Sequence, residues 1–282
     1  MISAVFEADN GKKFLLGVDN GIVFSADVGN GVSVNLGKSQ GFGQIGETVQ
    51  TQSVGGKPIN IKGVIFFDIT AKKVEMRNAF APFVSGRLVF DGKYYTRVYV
   101  KDPPSFSTTK NDGRFMMQLY APYPYFYSIS ERTFLIGAVK PLFKFPINYS
   151  APHKFGEKSG AKYVNVQNNG DVPVPYRMTL STSLQSTNPT ITDMQTLSFI
   201  RILGVINAGD TVTVYRDDDG VLRAELENES GTQDIISRID EASTLFDIRA
   251  GENLILAEDD EGGNALTARF VFSEAVAAYY EH

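Results

Sequence analysis

Residues 163–180 read Tyr-Val-Asn-Val-Gln-Asn-Asn-Gly-Asp-Val-Pro-Val-Pro-Tyr-Arg-Met-Thr-Leu, and this stretch decides the fold. Its first residues alternate apolar and polar side chains, which is the pattern of a half-buried β-strand. Asn169-Gly170-Asp171 predicts a tight turn, because Asn-Gly readily adopts the positive φ angles of such turns. Pro173 and Pro175 cannot donate to a sheet ladder, so the return strand is expected to start at an edge or a bulge.

A second stretch, residues 246–256, supplies the expected partner strand. It reads Phe-Asp-Ile-Arg-Ala-Gly-Glu-Asn-Leu-Ile-Leu and alternates again, with a break at Gly251. Two such strands far apart in the chain favour a mainly β fold.

Composition excludes several classes of function. The 282 residues contain no cysteine and two histidines, which excludes a thiol nucleophile or a thiolate metal site. The net charge of −5 offers no basic face, so we expect no specific nucleic-acid binding. Glu7 and Asp9 replace the basic start of a signal peptide, and no apolar run approaches a membrane helix. We therefore expect synthesis in the cytoplasm and no membrane insertion.

Short strands and turns fill the first half of the chain. Residues 47–54 and 58–66 flank Gly55-Gly56 and predict a hairpin, whose outer part is polar on both faces. Such a hairpin has no core of its own, so we expect it to project or to be completed by a neighbouring subunit. One helix is predicted over residues 71–80. Thr70 is its expected cap, and its expected apolar stripe is formed by Val74, Phe80 and Phe83.

Two domains are predicted, spanning residues 1–129 and 130–282. The aromatic run at residues 120–127, Tyr-Ala-Pro-Tyr-Pro-Tyr-Phe-Tyr, marks the passage between them. In the second domain, residues 217–220 and 260–263 are expected to be hairpin turns. Strand spacing in both halves predicts two β-sandwiches, but the sequence leaves open whether the final segment returns to the first domain.

No motif predicts a catalytic, cofactor-binding or metal-binding residue. Residues 41–46 match a dinucleotide-binding glycine pattern, but a strand-like stretch follows where a helix is required. Asp217-Asp218-Asp219 lacks calcium-loop spacing and is better explained as a solvated turn. His153 is interpreted as an exposed loop residue.

Several segments in order resemble the siphophage distal tail proteins, which form the hub at the end of a long phage tail. The resemblance covers nearly the whole chain. The segments that carry it are residues 56–63, 87–95, 119–126 and 142–146, the turn at 169–175, and the late Gly-x-Asn-x-Ile strand beginning at Gly251.

This resemblance implies a mainly β, two-domain fold. The N-terminal domain would be a ring-forming β-sandwich with one helix, and the C-terminal domain a galectin-like β-sandwich. It implies a hexameric ring that joins the tail tube protein to the tail-tip or tail-associated lysin protein and to receptor-binding or baseplate proteins. The implied role in the virion is structural and requires neither catalysis nor cofactor. A carbohydrate-binding β-sandwich that adheres to the host cell wall remains the alternative, and a tail-associated hydrolase is a further one.

A ring at the end of a DNA-conducting tail must let DNA slide through. Thr48, Gln50 and Gln52, which are polar and uncharged, are the hypothetical channel or subunit-interface residues on the predicted hairpin.

Overall fold

The computed structural model describes residues 3–109, 111–137, 139–141, 156–158, 163–217, 220–260 and 266–280. It forms two compact units, one of residues 1–130 with 275–282 and one of residues 131–274. The last eight residues thus group with the first unit, whereas the sequence-based division places them in the second. Because Tyr279 is buried in the core of the first unit, that segment is held there by packing.

The first unit contains most of the regular structure of the N-terminal half. Its elements in chain order are β1 (Ala4–Ala8), β2 (Lys13–Leu16), a 3-10 turn (Val18–Asn20), β3 (Ile22–Ala26), β4 (Val34–Ser39), β5 (Thr48–Val54), β6 (Lys57–Ile65), α1 (Ile69–Ala79), β7 (Ser85–Phe90), β8 (Tyr94–Phe106), β9 (Arg114–Ala121) and the start of β10 (Phe126–Ile136).

One antiparallel sheet runs through this unit in the order β2-β1-β7-β8-β9-β6-β3. The strand β8 pairs with β7 through residues 94–99 and with β9 through residues 99–106, and its register with β9 shifts between Val100 and Ser105. Asp91 and Gly92 form the turn between β7 and β8, and both residues have the positive φ that a type I′ turn requires. Phe80, just beyond α1, stacks on Phe6 with ring centroids 4.5 Å apart.

The second unit contains the rest of β10 and the remaining strands. These are β11 (Val139–Pro141), β12 (Gly156–Lys158), β13 (Tyr163–Asn168), β14 (Arg177–Thr182), β15 (Ser186–Thr187), β16 (Thr190–Asp193), β17 (Phe199–Arg201), β18 (Val205–Ile206), β19 (Thr211–Arg216), β20 (Leu222–Asn228), β21 (Gly231–Asp234), a 3-10 turn (Ile236–Arg238), β22 (Gly251–Glu258) and β23 (Leu266–Val276).

Two antiparallel sheets dominate this unit, one in the order β10-β23-β14-β19-β20-β21 and one in the order β13-β22-β16-β17. Strands in both sheets bury alternate residues. The predicted pairing of the two deciding stretches is confirmed, since β13 runs antiparallel to β22 from Tyr163↔Leu256 to Asn168↔Gly251.

The connection at residues 169–171 differs from the expected tight turn. It connects β13 to β14, which lie in different sheets, and neither Asn169 nor Gly170 has a positive φ. Hydrogen bonds from and to the buried Asn168 side chain stabilise this connection instead. This side chain donates to the carbonyls of Val172 at 3.1 Å and Ile248 at 3.0 Å, and accepts from the Gly170 amide at 2.9 Å.

The expected hairpin around Gly55-Gly56 is wrong. The strand β5 pairs with β4, whereas β6 pairs with β3 and β9. Gly56 is there for a different reason, because a Cβ at this position would lie 2.3 Å from the Tyr120 hydroxyl oxygen and 2.8 Å from the Ala121 carbonyl oxygen. Gly56 therefore permits a close approach to β9, and the two glycines do not form a hairpin turn.

Two smaller expectations also fail. The helix begins at Ile69 after Asp68, which has a left-handed φ of 49° and makes no side-chain cap, so Thr70 is not the cap. Its buried side is formed by Met76, Ala79 and the following Phe80, whereas Val74 and Phe83 are exposed. The strands β22 and β23, which come before and after the predicted turn at residues 260–263, belong to different sheets.

Other sequence-based expectations lie outside the described residues, namely those on residues 142–146, on His153 and on residues 218–219 and 261–263. In the described part of the chain, no helix is both long and apolar enough to cross a membrane.

Candidate functional site

The most unusual feature of the first unit is the two-stranded hairpin formed by β4 and β5, called here the arm (residues 34–54). Its strands pair only with each other, from Val34↔Val54 to Ser39↔Thr48. Every arm residue is exposed except the half-buried Ser39. An isolated two-stranded hairpin is at best marginally stable in water, and its edges offer unpaired backbone groups. The arm therefore has the properties of a segment that needs a partner.

One face of the arm carries a row of polar side chains along β5. Because side chains alternate along a strand, Thr48, Gln50 and Gln52 share one face of β5. The cross-strand register places Val34 and Leu36 on that same face near the base. Thr48, Gln50 and Gln52, which the sequence predicts as channel or subunit-interface residues, thus form one polar row.

A bulge between Gly37 and Lys38 shapes the middle of the arm. A Cβ on Gly37 would lie 2.1 Å from the Thr51 hydroxyl oxygen, so this glycine lets the two strands approach closely. Next to the bulge, Lys38 forms an ion pair with Glu47 at 2.8 Å. Both side chains are about half exposed, so the pair adds little stability.

The tip of the arm is an ordered glycine-rich loop. Gln44 organises it, since its side chain accepts from the Gly41 amide at 2.9 Å and donates to the Thr48 hydroxyl at 2.9 Å. Phe42 and Ile45 project from this loop with relative exposures of 112% and 102%. The glycine pattern at residues 41–46 therefore forms the tip of a hairpin and does not lead into a helix.

Phe42 and Ile45 are candidate functional residues that the sequence analysis missed. The sequence feature that could have identified them is the presence of two large apolar residues among glycines and glutamines in residues 40–46. Large apolar side chains that are exposed in this way typically mark an interaction site.

The base of the arm is fixed to the first unit. The Lys57 ammonium donates to the Asn30 carbonyl and lies 5.3 Å from the centre of the Phe126 ring. Burial lowers the pKa of Lys57, and the nearby Asp27 carboxylate partly opposes this shift.

The other candidate positions show structural roles. Asp217 accepts from the Val221 amide at 2.9 Å and from the Arg223 guanidinium at 2.9 Å, closing the β19–β20 turn. Of the aromatic run, Phe126 lies in the core of the first unit and Tyr127 packs on Tyr95. No cluster of three or more potential metal ligands occurs within the described ranges.

Comparison with known proteins connects this geometry to a fold. No family model matches the chain. A search of curated proteins also finds no match.

Among solved structures, the Dit protein of phage SPP1 matches with a TM-score of 0.64 and 14% identity, over 98% of this chain and 99% of that chain. That protein is described as a paradigm of the hub adsorption apparatus in phages infecting Gram-positive hosts.

Two structures of the activated phage P2 baseplate, with Ca and with Sr, match with TM-scores of 0.49 and 0.47. Their identities are 13% and 12%, and each match covers 96% of this chain and 97% of that chain. These scores are too low to establish a shared fold, so the assignment rests on the SPP1 protein. Over nearly its whole length, the chain has the fold of the SPP1 Dit protein.

Proposed function

We propose that this protein is a structural subunit of a phage or prophage tail tip, in which six copies form a hub ring. The fold shared with the SPP1 Dit protein over nearly the full chain is the observation that carries the proposal. The ring would join the tail tube protein to the tail-tip or tail-associated lysin protein and to receptor-binding or baseplate proteins.

The arm supports an assembly role on physical grounds. Its two strands leave their outer edges unpaired, and exposed edges of this kind pair with other chains unless they are protected. A head-to-tail contact repeated around a closed ring satisfies the same edge in every copy. We therefore assign the arm to the interface between subunits or to the wall of the ring's channel.

The polar row on β5 suits a channel that conducts DNA. Thr48, Gln50 and Gln52 present hydroxyl and amide groups, which lack the positive charge that would hold phosphate. The net charge of −5 is consistent with a passive conduit. The role requires no metal, cofactor or catalytic residue.

Electron microscopy tests the proposal directly. Negative-stain images of the concentrated protein, and of tails that contain it, are expected to show rings with a central opening. A glycan array distinguishes the hub from the carbohydrate-binding alternative, because a hub without adhesive function would show no sugar specificity. Absence of rings in both samples, together with selective glycan binding, would overturn the proposal.

A further inference from the structure

The outer face of the four-stranded sheet in the second unit carries a stripe that is acidic at both ends and apolar in the middle. The stripe follows β22, which lies between β13 and β16. Its members are Glu252, Leu254, Leu256 and Glu258, and the three residues between them are buried. Because six residues separate the two glutamates, they lie roughly 20 Å apart along the strand.

The apolar middle of the stripe extends across all four strands. Tyr163 of β13 pairs with Leu256, and Thr192 of β16 pairs with Leu256 on its other side. Phe199 of β17 pairs in turn with Thr192. Tyr163 is 60% exposed, and Met194, which follows β16, is 41% exposed. A contiguous exposed surface of this kind typically marks a protein interaction site.

The two glutamates at the ends of the stripe are not neutralised by their surroundings. Within the described residues, neither Glu252 nor Glu258 forms an ion pair or a side-chain hydrogen bond. Two arginines in or beside this sheet are engaged with other carboxylates, in the pairs Arg201–Asp260 at 2.9 Å and Arg249–Asp193 at 3.1 Å. A basic partner would therefore meet carboxylates that are still available for pairing.

The whole second unit is acidic. Residues 131–274 contain 21 acidic and 13 basic residues, which gives a net charge of −8. The remaining residues contain 11 acidic and 14 basic residues, which gives a net charge of +3. The field of the second unit therefore attracts a positively charged partner, and the stripe offers it an apolar place to dock.

We propose that this face docks an extended segment of another tail-tip protein, in which two apolar side chains are flanked by lysine or arginine. The apolar side chains pack on Leu254 and Leu256, and the basic ones pair with Glu252 and Glu258. This inference rests on the proposed tail-tip role, because it takes the partner from the same assembly. A second copy that presented the same face would bring like charges together.

The size of the face predicts a modest contact. Four strands about 4.8 Å apart and a stripe of roughly 20 Å give a footprint of roughly 300 Å², against about 800 Å² per partner in a standard interface. Docking on this face should therefore depend strongly on its charges.

Photo-cross-linking in assembled tails tests the docking. Tyr163, which is exposed and aromatic, would be replaced by p-benzoylphenylalanine in the full chain, and the cross-linked peptides would be identified by mass spectrometry. We expect a peptide of another tail protein that contains apolar residues flanked by lysine or arginine. Combining Glu252→Lys with Glu258→Lys should lower the cross-linked fraction about tenfold, because two attractive charge pairs become repulsive.

The matched control combines Glu227→Lys with Glu229→Lys. Both positions are exposed in the second unit but outside the four-stranded sheet, and the change in net charge is the same. This control should lower the cross-linked fraction far less. All of these chains should unfold at nearly the same temperature, because only exposed positions change.

The outcomes separate this docking from the hub itself. Rings in electron micrographs without the cross-link, or with equal losses in the two charge variants, would overturn the docking and leave the hub standing. The expected cross-link in tails that show no ring would support the docking and count against the hub. A cross-link only to a second copy, or only to a segment without basic residues, would overturn the inference. So would binding of a cell-wall oligosaccharide that Tyr163→Ala abolishes, because it would assign the face to sugar.

Discussion

At the scale of single residues, Asp91 and Tyr279 connect three distant segments of the first unit. Asp91 accepts from the Ser3 amide at 2.8 Å and from the Tyr279 hydroxyl. Burial and the bond to Asp91 raise the pKa of Tyr279 to about 12. Burial opposes the charge on Asp91, but the hydrogen bonds from Tyr279 and Ser3 outweigh it and lower the pKa of Asp91.

We predict that Tyr279→Phe lowers the free energy of unfolding by about 1–2 kcal/mol at pH 7, because it removes a charge-assisted hydrogen bond and keeps the ring. The contribution of Tyr279 is complete below pH ~10 and is lost as the pH rises through about 12. That of Asp91 is complete above pH ~4 and is lost in more acidic solution, through its lowered pKa. Urea unfolding at several pH values should therefore show a wild-type advantage that shrinks at both extremes.

The neighbouring Tyr280 is the matched control for this prediction, because it is exposed. Tyr280→Phe should leave the unfolding midpoint almost unchanged across the same pH range. An equal loss in both variants, or a Tyr279→Phe effect that does not vary with pH, would contradict the role assigned to the Asp91–Tyr279 bond.

In the second unit, the Asn168 side chain stabilises the connection between β13 and β14, where the sequence predicts a tight Asn169-Gly170 turn. We predict that Asn168→Ala destabilises by about 2–4 kcal/mol, because it removes the side-chain partners of two carbonyls and one amide. Asn165→Ala, on an exposed position of the same strand, should change stability by less than about 0.5 kcal/mol. Equal thermal unfolding midpoints for the two variants would show that the Asn168 side chain does not hold the connection.

At the scale of elements, the sequence predicts where strands lie better than which strands pair. Alternation identified β13 and β22 and their pairing, because both strands bury one face and the register follows from it. The arm was misassigned because Gly55-Gly56 resembles a turn, whereas Gly56 is required by the approach of Tyr120, a contact distant in sequence. With both faces exposed, β4 and β5 carry no burial pattern that could reveal their pairing. The polar row on β5 was found from composition, but the exposed Phe42 and Ile45 needed the structure.

The two faces of the arm allow a test of the channel. Changing Thr48, Gln50 and Gln52 to lysine should leave folding intact and slow DNA ejection at low salt, because each added charge can bind phosphate and release counterions. The effect should weaken as salt rises. Three lysines on the opposite face, at Val49, Thr51 and Ser53, are the matched control and should slow ejection less.

Normal ejection by the first variant at low ionic strength would show that this face does not line the channel. Binding of duplex DNA by the wild-type protein at physiological salt would contradict a passive conduit altogether.

At the scale of the whole molecule, the two units are expected to fold independently. A fragment of residues 131–274 should give a β-type circular dichroism spectrum and unfold cooperatively, because it contains both of its sheets. A fragment of residues 130–282 should be no more stable, since Tyr279 packs in the first unit. If only the longer fragment folds, the last segment contributes to the second unit instead.

The central claim is that the chain assembles through its arm into a six-membered ring without metal or cofactor. Native mass spectrometry of the concentrated protein tests it, with an arm-deleted chain as control. Residues 34–54 can be replaced by Gly-Gly because Val34 and Val54 lie directly opposite each other, about 5 Å apart. The core of the first unit contains no arm residue, so the control should stay folded. We predict a hexamer for the wild type and a monomer for the control. A wild-type protein that stays monomeric at high concentration and forms no ring in tails, or an arm-deleted chain that forms the same hexamer, would contradict this account.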